Sequence, residues 1–355
     1  MKDQKKHQGQ QLYGTGKIMI PVLIGAAVLI YFILNKIDWQ EFSNIQWNTK
    51  MIFWVGMAIL FLLIRHLAYA YRLRVLAQGA FTWLKCIQLI FIWEFSSAVS
   101  PTAVGGSAAA LFVLSREKLS AARVTAIVLY TAILDTIFFV GTLPILLFCF
   151  GPSIIRPELT DMMNLDGWGK SFIVAYFFMA LYGSFFFYGL FIKPQGFKKL
   201  ALAITSIGFL KRWRAKAEKL GNDFVVASKE MADHGFSFGF KAFLGTAGAW
   251  SSRFILLNCL IIAFQQDISL DIATQSALYA RLETMFVVMA FSPTPGSAGV
   301  AEILFHSFVY DYIPNETSSS IVAILWRLLT YYLYILVGAL VIPTWIRGLV
   351  KSVKS

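Results

Sequence analysis

The chain reads Ser292-Pro293-Thr294-Pro295-Gly296-Ser297-Ala298-Gly299 in the middle of a hydrophobic segment at 275–310. A second hydrophobic segment, at 86–114, is interrupted by Ser100-Pro101-Thr102-Ala103-Val104-Gly105-Gly106-Ser107, which begins with the same Ser-Pro-Thr triplet. Proline removes a backbone hydrogen-bond donor and glycine disfavours helix, so neither segment is expected to form one continuous helix. Both segments are therefore predicted to be broken helices.

The composition places these broken segments in a membrane. Of the 355 residues, 58% are hydrophobic and 14% are charged, whereas soluble domains carry about 25% charged residues. Six further apolar runs are long enough, or nearly so, to cross a bilayer, at 18–34, 51–64 with a continuation to about 77, 124–150, 171–192, 241–264 and 320–346. The runs are apolar on every side, which excludes the alternation of a barrel strand. We expect an all-α integral membrane protein, with one membrane domain at 18–346.

Charges beside the two broken segments indicate how each enters the membrane. Basic residues flank the first on both sides: Arg65, Arg72, Arg74 and Lys85 precede it, and Arg116, Lys118 and Arg123 follow it. Acidic residues flank the second: Asp267 and Asp271 before it, Asp311 and Glu316 after it. Since cytoplasmic loops are rich in Lys and Arg, the two segments are predicted to be re-entrant hairpins that enter from opposite sides.

Opposed hairpins of this kind are typical of an inverted repeat, in which broken helices meet near the midplane and form the substrate site. Two unrelated kinked spans are the alternative, because Pro and Gly are common in membrane helices. The sequence thus predicts about six full spans plus two broken hairpins in an inverted repeat.

The remaining charges orient the chain. Between 193 and 241 there are ten Lys or Arg against four Asp or Glu, and the termini at 1–17 and 347–355 are also basic. We expect all three regions to lie on the cytoplasmic side of the membrane. The membrane itself is expected to be a plasma or inner membrane. The positions of these residues thus explain the net charge of +12 by membrane topology, and no binding of nucleic acid is expected. The 193–240 linker is either an amphipathic element on the anionic leaflet or a plain basic connector.

Ionisable side chains inside apolar segments are the main candidates for function. Each costs about 2.5–3.5 kcal/mol at a helix centre, so each needs a partner or a wet cavity. The set consists of Glu94, Asp135, Arg253, Arg281, Glu283, Glu302 and Arg327. Arg327 and, less strongly, Arg281 are expected to bind a lipid phosphate, and Glu302 to contact a cationic headgroup or form a gate with one of them. The alternatives are a structural Glu302–Arg327 pair, or a Glu302 carboxylate that only satisfies the start of its half-helix.

The other four charges are expected to form gating or charge pairs. Glu94 could pair with Arg253 or line the cavity, although the sequence assigns it no definite partner, and Asp135 could be a structural acid or a proton relay. Glu283 is the fourth residue of this group.

Glycines at both breaks could admit a headgroup. Gly296 and Gly299 allow close approach of the backbone, and a half-helix that begins near Gly299 would point its positive end into the cavity. Gly105, Gly106 and Ser107 would start the other half-helix in the same way; close helix packing through small residues is the alternative.

Signatures of catalysis and of metal or cofactor binding are missing from the sequence. His7, His66, His234 and His306 lack metal spacing, and no nucleotide-binding or nucleophile motif occurs. Neither enzymatic activity nor a bound cofactor or metal is expected. Three hypotheses remain: a lipid transporter, a scaffold that recruits a partner enzyme through the basic linker, and an ion-coupled transporter of a small solute.

Three motifs resemble a known family. The first break is similar to a Thr-Pro-x-x-x-Gly-Gly-Gln motif, and Pro293–Glu302 is similar to Pro-x-Pro-Gly-Gly-x-Gly-x-x-Glu. Trp326–Tyr332 resembles the Arg-containing start of the last helix. The family is the flippase-like transmembrane domain of lysylphosphatidylglycerol synthases, and the resemblance covers about 15–346. It implies movement of an anionic or aminoacylated phospholipid between leaflets.

Two residues depart from the family pattern. Ser107 stands in place of Gln and Ser297 in place of Gly, which leaves the identity of the headgroup open. The chain ends at Ser355 without an aminoacyl-transferase domain, so translocation without synthesis is the expectation.

Overall fold

The computed structural model describes residues 33–43, 45, 47–100, 102–117, 119–155, 167–232 and 235–354, with Leu23, Ala26, Ala27, Ile30 and Tyr31 before them. The described chain is helical and contains no strand. Its α-helices are α1 (Trp39–Ser43), α2 (Thr49–Leu76), α3 (Trp83–Ala98), α4 (Thr102–Leu114), α5 (Ala121–Phe150), α6 (Gly167–Phe187), α7 (Pro194–Ile204), α8 (Arg214–Ala232), α9 (Phe236–Phe264), α10 (Ile272–Met289), α11 (Val300–Val309), α12 (Glu316–Arg327) and α13 (Leu333–Lys354). The all-α prediction is confirmed.

Five helices are long and apolar enough to span a membrane in the described chain: Thr49–Leu76, Ala121–Phe150, Gly169–Ile192, Phe236–Phe264 and Glu316–Arg347. They match five of the six predicted spans. Most of the sixth, at 18–34, lies outside the described residues. Short π-helical turns at Tyr188–Ile192 and Leu328–Tyr332 extend α6 and join α12 to α13.

The helix formed by the second apolar run continues beyond the most hydrophobic part of that run. No Pro or Gly interrupts 57–77, so α2 continues to Leu76 and ends where Gln78 and Gly79 adopt positive φ angles of 52° and 72°. Arg65 and Arg72, which the sequence placed after the span, are therefore inside the helix and buried. A Cβ on Gly245 of α9 would lie 3.0 Å from the Cβ of Arg72, so α2 and α9 pack closely here.

Helices α3 and α4 form the first predicted hairpin. They pack against each other on either side of a break between Ala98 and Thr102. Lys85, near the start of α3, forms a 2.8 Å salt bridge with Glu117, just after α4, so the hairpin begins and ends at the same end of the bundle. Trp345 of α13 donates to Glu117 at 2.7 Å at this end.

Helices α10 and α11 form the second hairpin, with a break from Ala290 to Gly299. Asp271 caps α10, and hydrogen bonds from the Ser269 hydroxyl, then from Thr274, hold the pKa of this exposed carboxyl well below its usual range. Asn315, which caps α12 directly after this hairpin, donates to Glu41 of α1 at 3.1 Å.

The two hairpins enter from opposite ends of the bundle. α2 begins beside the α9–α10 connection, where Lys50 donates to the Gln266 carbonyl at 2.7 Å, and it ends near α5, where Arg123 donates to the Ala77 carbonyl at 2.7 Å. The second hairpin opens at the former end and the first at the latter. The inverted repeat itself stays a prediction.

The basic linker is folded in its described part. α7, a 3-10 turn at Gly208–Trp213 and α8 follow one another, and α8 packs along α5 through Phe224, which is buried beside Ile133 and Leu190. Several apolar side chains remain exposed among lysines and arginines, including Leu200, Ile207, Phe209 and Trp213.

Candidate substrate cavity

Both breaks open onto one cavity of about 660 Å³ inside the bundle. Small and hydroxylated residues from the first break line it, among them Ser97, Ser100, Gly106 and Ser107. The second break contributes Ser292, Thr294, Gly296 and Ser297. Among the described residues, five charged side chains line the cavity: Arg72, Glu94, Asp135, Arg253 and Arg327. The volume is in the range of small-molecule sites.

Tyr331, in the π-helical turn, connects the two breaks. Its hydroxyl donates to the Ala98 carbonyl of the first break at 3.4 Å. Its ring lies against the second break, since a Cβ on Gly296 would be only 2.0 Å from the ring. The guanidinium of Arg327 lies over the same ring at 4.2 Å.

The second break is held by a buried ion pair. Arg327 Nε lies 3.1 Å from Glu302 Oε1, and both side chains are about 5–6% exposed. Glu302 Oε2 accepts the backbone N–H of Gly299 at 2.8 Å and so caps α11, which begins at Val300 as predicted. Arg327 also donates to the Gly296 carbonyl at 2.8 Å. The pair therefore satisfies the exposed backbone of the break and ties α11 to α12.

Asp135 on α5 is bound by two donors from different helices. Arg72 of α2 donates to Oδ1 at 2.6 Å, and the indole N–H of Trp250 on α9 donates to the same oxygen at 2.9 Å. These contacts tie α2, α5 and α9 together at the cavity wall.

Glu94 on α3 has two arginines beside the same oxygen. Arg65 of α2 donates to Oε2 at 2.7 Å, while Arg253 of α9 lies 3.9 Å from it. The predicted neighbours Glu94 and Arg253 are brought together and both line the cavity. Arg65, fully buried behind them, is the closer partner.

Arg253 is consequently the cavity cation with the least compensation. Its guanidinium lies over the rings of Trp250 and Phe286, at 4.7 and 5.4 Å, and its buried Nε has no hydrogen-bond partner among the described residues. A guanidinium offers a forked set of donors that matches phosphate oxygens. Arg253 can therefore receive an anion without first breaking a short ion pair.

The first break is held by close packing of small residues. α4 begins at Thr102, so Gly105, Gly106 and Ser107 lie inside the helix and not at its start. A Cβ on Gly106 would be 2.7 Å from Ser97 Oγ. Gly106 and Ser107 still line the cavity.

In the described chain, four predicted site residues do not line the cavity: Glu302, Gly299, Arg281 and Glu283. Arg281 on α10 donates from one nitrogen to both carboxylate oxygens of Asp311, at 2.5 and 2.6 Å, and stacks over Tyr312. Glu283 is fully buried between α10 and α5, where it accepts the hydroxyl of Thr142. The structure therefore brings together Glu94, Asp135, Arg253, Arg327 and the glycine-rich breaks, and separates them from Arg281 and Glu283.

The partners that the sequence missed are Arg65 and Arg72. The available signal was the run at 57–77, which no Pro or Gly interrupts and which therefore predicts a continuous helix. Such a helix places Arg72 about one turn and Arg65 about three turns before its end, inside the span.

One side of the cavity is bordered by aromatic side chains that are exposed in the described chain. Phe178 and Tyr182 of α6 and Phe291 of the second break line the cavity and are 59%, 42% and 53% exposed. The rings of Phe178 and Phe291 are 6.3 Å apart.

Comparison with known proteins agrees with this architecture. The family model described as "Lysylphosphatidylglycerol synthase TM region" matches residues 18–338. The chain belongs to this family. A UPF0104 membrane protein of Archaeoglobus fulgidus is 22% identical over 337 residues, which cover 91% of this chain and 95% of that protein. No solved structure matches. Membership of the lysylphosphatidylglycerol synthase transmembrane-region family confirms the resemblance seen in the three motifs.

Proposed function

We propose that this protein moves an anionic or aminoacylated phospholipid between the leaflets of its membrane. The proposal rests on one observation: the breaks of both hairpins and five charged side chains line the same cavity. Charges inside a membrane domain mark substrate pathways, because each is costly to bury.

The headgroup would bind at Arg253, Arg327 and the serines of the breaks, while the acyl chains stay in the hydrocarbon. The exposed aromatic side formed by Phe178, Tyr182 and Phe291 supports this route, because it borders the polar cavity directly. A small-solute transporter would have no need of such an opening toward lipid. This observation favours a lipid over a small solute.

A second contact with lipid is proposed for the basic linker. Exposed Leu200, Ile207, Phe209 and Trp213 lie among basic residues, and Arg212 stacks on the Trp213 ring at 4.7 Å. Apolar side chains surrounded by basic ones are attracted to anionic headgroups at a membrane surface. We assign this surface to the cytoplasmic leaflet, consistent with the excess of basic residues in the linker.

The test is transbilayer movement of headgroup-labelled phosphatidylglycerol and its lysyl derivative in proteoliposomes. Arg253→Gln is expected to slow movement at least tenfold, because the least compensated cation of the cavity is lost. Glu302→Ala is unsuitable here, since it removes the support of the second break. The matched control is Arg281→Gln with Asp311→Asn, which neutralises a charge pair that does not line the cavity.

Equal loss of movement in both variants would contradict the assignment of the cavity. Absence of lipid movement in the unmodified protein, with and without a proton or sodium gradient, would contradict the function. Uptake of a water-soluble solute without lipid movement would favour the solute transporter. Loss of a bound partner enzyme on neutralising the linker, without transport, would favour the scaffold.

A further inference from the structure

A second, smaller pocket lies on the other side of the Glu302–Arg327 ion pair. It has a volume of about 210 Å³ and is formed between α11 and α12. Glu302 lines this pocket, whereas its partner Arg327 lines the central cavity. The ion pair therefore separates two spaces, and each of its members faces a different one.

The second pocket has the polar lining that water requires. Its polar lining consists of Glu302, the exposed Lys36–Glu316 salt bridge of 2.6 Å, His306 and three serines, beside the apolar Ile303, Phe305 and Ala323. His306 Nδ1 lies 3.3 Å from Ser319 Oγ. Its volume has room for several waters, since one takes about 30 Å³ in the liquid, and such waters persist where they find two or more polar partners.

The residues that line the second pocket recur every three or four positions on both α11 and α12. Glu302 and His306 are four residues apart on α11, and Glu316, Ser320, Ala323 and Arg327 follow a similar spacing on α12. Residues three or four apart share a helix face. The two polar faces meet along the length of α11, from the exposed Lys36–Glu316 pair inward to the buried pair.

We propose that the second pocket is a proton-access route to Glu302, and that a proton taken up there frees Arg327 to bind an anionic headgroup in the central cavity. The inference rests on the proposed function for the identity of the ligand. A proton from pocket water joins a carboxylate oxygen of Glu302, and its ion pair with Arg327 is lost. Arg327 then pairs with a phosphate oxygen, and the surrounding buffer has lost one proton.

The groups around Glu302 are compatible with this exchange. Arg327 faces it from α12, His306 from its own helix, and the phenols of Tyr331 and Tyr332 from the π-helical turn. Lys36 and Glu316 stand at the outer end of the pocket, and among the described residues no ionisable side chain of α10 lines it. Arg327 is thus the one cation in direct contact with Glu302 in the described chain. A neutral Glu302 can still accept the Gly299 N–H, so the cap of α11 survives protonation.

Linkage makes this exchange measurable without transport. If anion binding requires a proton, binding must take one up, and the affinity must rise as pH falls. The probe is glycerophosphoglycerol, a soluble phosphodiester with no titration of its own near neutral pH. Calorimetry of its binding to the purified protein, in two buffers of different ionisation enthalpy, gives the number of protons taken up.

We expect close to one proton per bound ligand in the unmodified protein and none in Glu302→Gln, which still binds the probe. Gln keeps the hydrogen bond to Gly299 that caps α11. Glu283→Gln is the matched control, because Glu283 is an equally buried acid that lines neither space, and its proton uptake should equal that of the unmodified protein. Binding without proton uptake, uptake that persists in Glu302→Gln, or no binding to the unmodified protein would each overturn the proposal.

Water access to the pocket is tested independently of the ligand. With Cys86, Cys149 and Cys259 replaced by Ala, Ser320→Cys should react with a small charged thiol reagent added to proteoliposomes. Ser252→Cys, buried to a similar degree but lining neither space, should not react. An unreactive Ser320→Cys would overturn the route. Proton-linked binding with no lipid movement would instead refute only the proposed function, and lipid movement that is indifferent to pH would refute only this inference.

Discussion

The breaks in the two hairpins contain the same Ser-Pro-Thr triplet but are stabilised by different interactions. The first break is short, from Ala98 to Thr102, and its described part contains no residue with positive φ. It rests on the close approach of Gly106 to Ser97. The second break is ten residues long, from Ala290 to Gly299, and includes three residues with positive φ.

The difference follows from what each break must satisfy. A long non-helical stretch inside a membrane domain leaves backbone polar groups without partners, and each must be paired. Glu302 and Arg327 supply that pairing at Gly299 and Gly296. A short break needs less, so packing of small residues is sufficient. The same sequence signal can therefore mark a steric break or an electrostatic one.

The largest effect that separates the two hairpins is expected from Glu302→Ala. Removing one partner of a buried ion pair leaves the other charge uncompensated and costs about 3–5 kcal/mol. The equivalent truncation in the first hairpin, Ser107→Ala, should cost less than about 1 kcal/mol, because Ser107 carries no charge and alanine favours helix. Thermal unfolding of the purified protein in detergent measures both.

Two further results bear on that prediction. Glu302→Gln should lose much less stability than Glu302→Ala, because it retains the cap of α11. Equal shifts in Glu302→Ala and Ser107→Ala would show that the ion pair does not hold the second break.

The electrostatic part of the site could be predicted only partly from sequence. The buried charges inside apolar runs were visible, and so was the Glu302–Arg327 pair as one of the alternatives for these two residues. Arg253 was visible as a neighbour of Glu94, but the closest partners of Glu94 and Asp135 were not. Arg65 and Arg72 read as flanking charges of the positive-inside kind, although the helix continues past them.

The places of Arg281 and Glu283 show why such assignments fail. Both lie on α10, the helix that leads into the second break, and they precede that break by only about two helical turns. Which face of α10 meets the cavity depends on how α5, α9 and α11 pack around it. The orientation of α10 about its own axis decides which face this is. The sequence of a helix that is apolar on most sides does not indicate that orientation.

The next largest difference is expected between glycine substitutions at the two breaks. An alanine Cβ at Gly296 would meet the Tyr331 ring at 2.0 Å and would also stand at a φ of 55°. Overpacking costs about 1–3 kcal/mol and a left-handed alanine about 1–2 kcal/mol. An alanine Cβ at Gly106 would lie 2.7 Å from the rotatable Oγ of Ser97 and 3.2 Å from its Cβ, and alanine gains about 1 kcal/mol of helix propensity, so Gly106→Ala should cost clearly less than Gly296→Ala.

A double substitution separates the two costs at Gly296. Tyr331→Ala removes the ring that the new methyl group would meet, so Gly296→Ala should be less destabilising in that background, with the backbone strain remaining. The free energies of unfolding of the four proteins in this cycle give the coupling. An unchanged cost in the Tyr331→Ala background would mean that the ring does not press on the break.

The smallest expected effect has opposite signs at the two breaks, and it concerns the serines that depart from the family pattern. Ser297 has a φ of 57°, where a non-glycine residue is strained, so Ser297→Gly should stabilise the protein by up to about 1 kcal/mol. Its hydroxyl contributes one long hydrogen bond, of 3.4 Å, to the Met289 carbonyl, which is a minor loss. Ser107 is helical, so Ser107→Gly should destabilise by about 0.5 kcal/mol. Melting temperatures should move in opposite directions by about 1–2 °C. Shifts of the same sign would mean that Ser297 is not under backbone strain, and that the second break is held by its ion pair without any conformational cost at this position.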